Sequence, residues 1–172
     1  VVKKTKKNKN KIAVIADDLT GAMDTGVQFK KNGYSTAVLF QPKNMKKVIK
    51  NNEIIVISTE SRAFSPEKAK DRILQYIDRL KASGINQYYK KIDSTLRGNF
   101  GVELEALFSQ TTKDAIFIIP AYPESGRTTE KGYQYVKGSL LAETEFAEDI
   151  LTPVNYSYIP DILHIMLCAC KI

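Results

Sequence analysis

Two adjacent aspartates, Asp17 and Asp18, close an apolar run in the stretch "IAVIADDLTGAMDTGVQF", residues 12–29. Side-by-side carboxylates at the end of a buried strand repel each other, and burying them costs several kcal/mol unless each finds a partner. They either begin a turn and cap the next helix, or they face a ligand that needs them. Three further stretches collect similar chemistry. "STESRAF" holds Thr59, Glu60, Ser61 and Arg62; "KKIDSTLRGNFG" holds Lys91, Asp93, Ser94, Thr95 and Arg97; "PAYPESGRTTEKG" holds Ser125, Arg127 and Thr128. Arg and Lys hold anions by charge-assisted hydrogen bonds. Asp accepts hydrogen bonds from hydroxyls and can take a proton from one. A small polyhydroxylated acid would satisfy this mixture.

Each of these stretches follows a candidate strand. Apolar runs at 12–16, 36–40, 54–58, 87–92 and 115–120 alternate with helical patterns. One helix is expected over 20–32, stopping at Gly33. A second starts at Ser65-Pro66-Glu67, which reads as N-cap, first-position proline and first-turn carboxylate, carries Ala69, Ile73, Ile77 and Leu80 on one face, and ends at Gly84. A third is expected over 100–110. The alternation predicts an α/β fold: a mostly parallel sheet flanked by helices. Past Pro120, "YQYVKGSLL" predicts a small β-hairpin excursion around Lys137-Gly138. In such sheets ligands bind at the carboxyl ends of the strands. Four of the five expected strand ends carry charged and hydroxyl groups; only "QPKN", after the second, does not. That convergence predicts a site on one sheet edge.

Other chemistries fit less well. Gly21 and Gly26 have P-loop spacing, but Val27 and Gln28 stand where the lysine and hydroxyl should follow. The glycines are therefore expected to allow close helix–sheet packing. His164, Cys168 and Cys170 are unevenly spaced in an apolar segment, a weak zinc pattern that reads better as packing, and no metal site is expected. With no other histidine, a Ser-His-Asp or Cys-His hydrolase is disfavoured.

The 172 residues suit one domain, and 43% hydrophobic with 26% charged residues is ordinary for a globular protein. No apolar run approaches a membrane span, and the lysine-rich start lacks the apolar core of a signal peptide, so a cytoplasmic protein without membrane contact is expected. The net charge of +7 invites a nucleic-acid partner, but Lys3, Lys4, Lys6, Lys7, Lys9 and Lys11 supply nearly all of it. Residues 1–11 are expected to form a disordered basic tail, leaving a nearly neutral domain over 12–172 and no nucleic-acid partner.

The motifs "ADDLTGAMDTGVQF", "STESRAF", "KKIDSTLRGNFGVELEAL" and "PAYPESGRTTEKGYQYVKGSLLAETEFAEDILTPV" resemble the N-terminal domain of the four-carbon acid sugar kinases. The resemblance spans roughly Lys11 to Leu163. It implies binding of a sugar acid such as threonate, erythronate or 3-oxo-tetronate. ATP and Mg²⁺ serve the full-length family enzyme, with neither expected to bind this chain tightly. Carried over by position, it implies Asp17, Asp18, Arg62, Lys91, Asp93, Ser94 and Arg97 as substrate-binding residues. Arg62, Lys91 and Ser94 are the expected acid anchors, and Asp18 or Asp93 the expected base for the attacking hydroxyl. Asp18 is assigned to the hydroxyl, and Asp17, on the opposite side of the pleat, to a structural role held by backbone N–H groups or a neighbouring Lys or Ser. The family's ATP-binding second domain has no counterpart in this sequence, so a truncated kinase inactive by itself is expected, or alternatively a module that only binds. A homo-oligomer is compatible with either.

Overall fold

The computed structural model describes residues 11–41 and 45–168. Four parallel strands form the main sheet: β1 (Ile12–Ala16), β2 (Thr36–Leu39), β3 (Ile54–Ser58) and β4 (Gln87–Lys91), in the order β2-β3-β1-β4. Ala16 at the end of β1 lies beside both Ser58 of β3 and Lys91 of β4. Three carboxyl ends therefore finish level. The chain leaves β1 toward β2 on one side and leaves β3 toward β4 on the other, so β1 and β3 flank the switch point where α/β sheets open a crevice.

Both faces of the central strands β1 and β3 are covered, which is why these two read as continuous apolar runs, whereas the edge strand β4, QYYKK, does not. Ala13, Ile15, Ile55 and Ile57 face a core completed by α2 (Met45–Asn51), α3 (Pro66–Lys81) and α4 (Phe100–Ser109). Val14, Ala16, Ile54 and Val56 face the other way and meet Ala22 and Phe29 of α1 (Leu19–Lys31). A Cβ added at Gly26 would stand 3.0 Å from Val38, so this glycine lets α1 lie close on the sheet, the packing role expected from the sequence. In α3 the Ser65 side chain accepts from the Lys68 N–H, and Ala69, Ile73, Ile77 and Leu80 are all fully buried, as their spacing predicts.

A second, antiparallel sheet joins β5 (Arg127–Glu130), β6 (Tyr133–Val136) and β7 (Ser139–Leu140). The expected hairpin at Lys137-Gly138 joins β6 to β7, and Lys131-Gly132 makes the same kind of turn between β5 and β6. Val136 and Leu141 pack with Leu96, Phe100 and Leu104, and with Ile159 and Ile162 of α5 (Ile159–Cys168), into a separate core.

One expected element does not form. Residues 115–120 pair with no strand, and β4 is the edge of the main sheet. Phe117 is 88% exposed and Ile119 75%, while Ile118 alone packs against the second core. An unbroken apolar run is equally compatible with a buried strand and an extended segment, and only a ladder partner separates the two. The basic-tail expectation over residues 1–10 lies outside the described residues, as does Cys170. Lys11 is placed: its ammonium donates to the carbonyls of Ile49 and, at 2.6 Å, Asn52. No helix among the described residues is long and apolar enough to cross a membrane.

Candidate functional site

The site grows from the turn after β1. Asp17 is 3% exposed, and its carboxylate accepts two hydrogen bonds from one edge of the Arg62 guanidinium, Nε at 2.7 Å and Nη2 at 3.1 Å. Asp18 caps α1, accepting from the Gly21 N–H at 2.9 Å, and its second oxygen lies 3.0 Å from Arg62 Nη1. Both carboxylates thus meet the same guanidinium. Asp17 is buried while Asp18 lines the cleft, so the two carboxylates reach Arg62 from different positions, and the backbone at Asp18 is still extended (φ −139°, ψ 165°). Asp17 is held by an arginine, not by the Lys or Ser expected, and the Ser61 and Arg62 N–H groups reach its backbone carbonyl rather than its side chain. Burial works to lower the pKa of Arg62. The hydrogen bond and charge of Asp17, followed by the charges of Asp93 and Asp18, outweigh it and hold the guanidinium above its ordinary value.

Gly98, Asn99, Lys90 and Glu103, none of them a candidate from the sequence, hold this arrangement together with Thr59 and Ser61. Gly98 has φ +84°, and a Cβ there would lie 3.0 Å from Arg62 Cγ and 3.2 Å from Asp17 Oδ2. Asn99 donates its amide to the carbonyls of Ser61, Arg62 and Phe64. The Thr59 hydroxyl donates to the Ala16 carbonyl at 2.8 Å, and the Ser61 hydroxyl donates to Glu103. Glu103 is fully buried on α4 and pairs at 2.8 Å with the equally enclosed ammonium of Lys90 on β4. The available signal was Glu103 among the apolar residues of α4, since a buried carboxylate requires a partner, but Glu105 two residues on is exposed enough to pair with Lys70 and made the two glutamates look alike.

The loop after β4 forms a second cluster. Asp93 accepts from Arg97 Nε at 2.6 Å and from the Thr95 hydroxyl at 2.7 Å. Burial works to raise its pKa, but those two hydrogen bonds and the positive charges of Arg97 and Arg62 hold it below the usual carboxylate range. Arg97 reaches on to Asp149 at 3.2 Å and lies 5.2 Å over the Phe146 ring. Asp149 is pulled down to about 2, first by hydrogen bonds from the Thr152 and Leu151 backbone and then by Arg97. The Ser94 carbonyl accepts from Gln134, a fully buried residue of β6, at 2.7 Å.

Asp18, Arg62, Lys91, Asp93, Ser94 and Arg97 line one cleft of about 1470 Å³. Asp17 lies behind them. Within the cleft the polar groups differ in what they have left to offer. Arg62 and Arg97 are neutralised by carboxylates of the protein. Lys91 is not: its ammonium donates to the Ile92 carbonyl at 2.6 Å and makes no ion pair with a carboxylate among the described residues, although it and Asp18 Oδ1 both lie close to Gly21. The Ser94 hydroxyl has no partner among them either. No cluster of three or more His, Cys, Asp or Glu side chains stands ready for a metal ion among the described residues.

Comparison with known proteins meets this geometry. Residues 12–167 match the model of the sugar-binding N-terminal domain. A D-threonate kinase from Bordetella bronchiseptica is 37% identical over 88% of this chain, and a D-erythronate kinase from Heliobacterium modesticaldum is 38% identical over 88%. The chain spans 38% and 35% of the length of those two relatives. A Bordetella bronchiseptica protein solved with bound citrate as a domain-swapped dimer superposes with a TM-score of 0.85 at 36% identity, covering 91% of this chain and 41% of that one.

Proposed function

This chain belongs to the sugar-binding N-terminal domain family, and from that premise we propose that its cleft binds a four-carbon sugar acid of the threonate, erythronate or 3-oxo-tetronate type, as the substrate half of an ATP-dependent kinase. The observation that carries the reading is the pairing of unclaimed groups with claimed ones. Lys91 and Ser94 keep a charge and a hydroxyl for the ligand, beside carboxylates already oriented by arginine. A carboxylate ligand completes Lys91, and its hydroxyls find acceptors in Asp18. The citrate-bound relative, holding another hydroxylated acid, is consistent with this chemistry, and its dimer supports a homo-oligomer here.

The two aspartates proposed for proton transfer differ. Asp93 is held proton-poor by Arg97 and Thr95 and serves to organise its loop. Asp18 lies in the cleft, and each of its oxygens keeps a lone pair after meeting Gly21 and Arg62, so it is the better acceptor for the attacking hydroxyl. Little covalent help is needed beyond that, since phosphoryl transfer rests on positioning and charge neutralisation. The glycines of α1 are not a nucleotide cradle. Gly26 is taken up by packing on Val38, and the Gly21 N–H by Asp18. The residues here supply the acid side of the reaction.

A thermal-shift titration with D-threonate, D-erythronate and 3-oxo-tetronate tests the reading. An acid at 100 times its Kd stabilises the fold by about 2.7 kcal/mol. No shift with any of the three overturns it.

A further inference from the structure

Besides Lys91, a further cation of the cleft belongs to neither carboxylate cluster. Arg127, the first residue of β5, lines the same cleft as Lys91 and Ser94. Its guanidinium lies 6.0 Å from the centre of the Phe146 ring, the ring that Arg97 also covers at 5.2 Å. The charges of Arg62, Arg97 and Lys90 are each answered by carboxylates of the protein. Arg127 has no carboxylate partner among the described residues. Its Nη1 donates to the Ser125 carbonyl at 2.5 Å, and its Nε is buried without an acceptor. A buried N–H left without a partner is costly, and more so on a charged group.

The backbone that carries Arg127 is held on both sides. Its N–H and carbonyl pair with Tyr122 at 3.1 and 2.8 Å. Two residues on, the Thr129 hydroxyl donates to Gln134, which in turn donates to the Ser94 carbonyl. The strand bearing the spare guanidinium is therefore tied to the loop bearing the spare hydroxyl. We propose that Arg127 is a specificity-determining residue that binds the carboxylate of the acid in the cleft it lines together with Lys91. This rests on the sugar-acid reading above. It adds that recognition of the acid, as against a neutral polyol of the same length, comes from the antiparallel sheet and not only from the ends of the parallel strands.

The test is calorimetric titration of the full chain with D-threonate and with its uncharged carboxamide, for the wild type, Arg127→Gln and Arg127→Lys. Removing a hydrogen bond to a charged group weakens binding by roughly 10- to 100-fold. Arg127→Gln is expected to lose that much affinity for the acid and none for the carboxamide, and Arg127→Lys to recover part of the loss. If Arg127→Gln does not fold, the Lys variant decides alone, by a smaller preference for acid over carboxamide than the wild type shows. Unchanged acid binding in Arg127→Gln, or equal losses for acid and carboxamide, overturns the role of Arg127 and leaves the cleft reading standing. A wild type that binds none of D-threonate, D-erythronate and 3-oxo-tetronate overturns the cleft reading itself.

Discussion

Two arginine–carboxylate clusters stand side by side in this protein and are built differently. In the first, Arg62 lies between Asp17 and Asp18, which are neighbours in sequence at the end of a buried central strand. In the second, Arg97 lies between Asp93, four residues away, and Asp149, 52 residues away and beyond the antiparallel sheet in sequence. The first is anchored in the main core, closed behind by Asn99, Ser61 and Glu103. The second depends on a loop and on a partner whose own backbone contacts, Leu151 and Thr152, are local. The same chemical pair is thus part of the rigid sheet edge in one place and a clasp between two layers in the other. Breaking the first should cost folding stability; breaking the second should loosen the cleft.

The sharpest way to break the comparison is Arg62→Ala. It strands Asp17, buried and charged, and removal of one partner of such a pair costs about 3–5 kcal/mol. Urea denaturation is expected to show a loss near the lower figure, since the Arg62 side chain keeps 23% exposure. A loss under about 1 kcal/mol would mean that this cluster is no more structural than a surface pair. Next in size is Gly98→Ala. The left-handed backbone and the 3.0 Å approach to Arg62 predict a loss of about 2 kcal/mol, and a variant as stable as the wild type would show that the Arg62 loop can yield.

The second cluster is read through pH. The pKa of Asp149 is depressed to about 2 in the folded protein, against about 3.9 for an unperturbed aspartate. A depressed carboxyl contributes stability that is present above the unfolded value and is lost as pH falls through the folded one. Asp149→Asn should therefore be less stable than the wild type by a constant amount from neutral pH down to about 4, with the difference closing toward pH 2. Denaturation midpoints across that range check it, and a difference that grows on acidification contradicts it. Smallest in stability terms is Lys91→Met. Its ammonium gives only one hydrogen bond to a neighbouring carbonyl, so unfolding should change by less than about 0.5 kcal/mol. Affinity for D-threonate should fall at least tenfold. Retained affinity would remove Lys91 from the site.

Much of this framework was legible in the chain. The strands at 12–16 and 54–58 are read within their observed limits because both of their faces are buried and every residue is apolar or small. Helix α3 is read from Ser65-Pro66 and its apolar stripe. Helix α2 was not read: "MKKVIKN" offers only Met45, Val48 and Ile49 to a core among lysines, too short a pattern to show a period. The strand expected at 115–120 was read from apolarity alone, and apolarity does not name a ladder partner.

The amino-acid sequence by itself determined the local elements and the chemical types gathered at their ends, because strand burial, helix caps and tight turns depend on residues a few positions apart. The tertiary structure alone decided which of those charges are spent and which are spare. Arg62 is consumed by Asp17 across 45 residues, and Lys90 by the buried Glu103 on α4. Lys91 and Arg127, of the same residue types, line the cleft and make no ion pair among the described residues. An ion pair forms where the fold brings opposite charges within a few ångströms and shuts out water, and nothing in the residue types distinguishes a lysine or arginine so paired from one left unpaired.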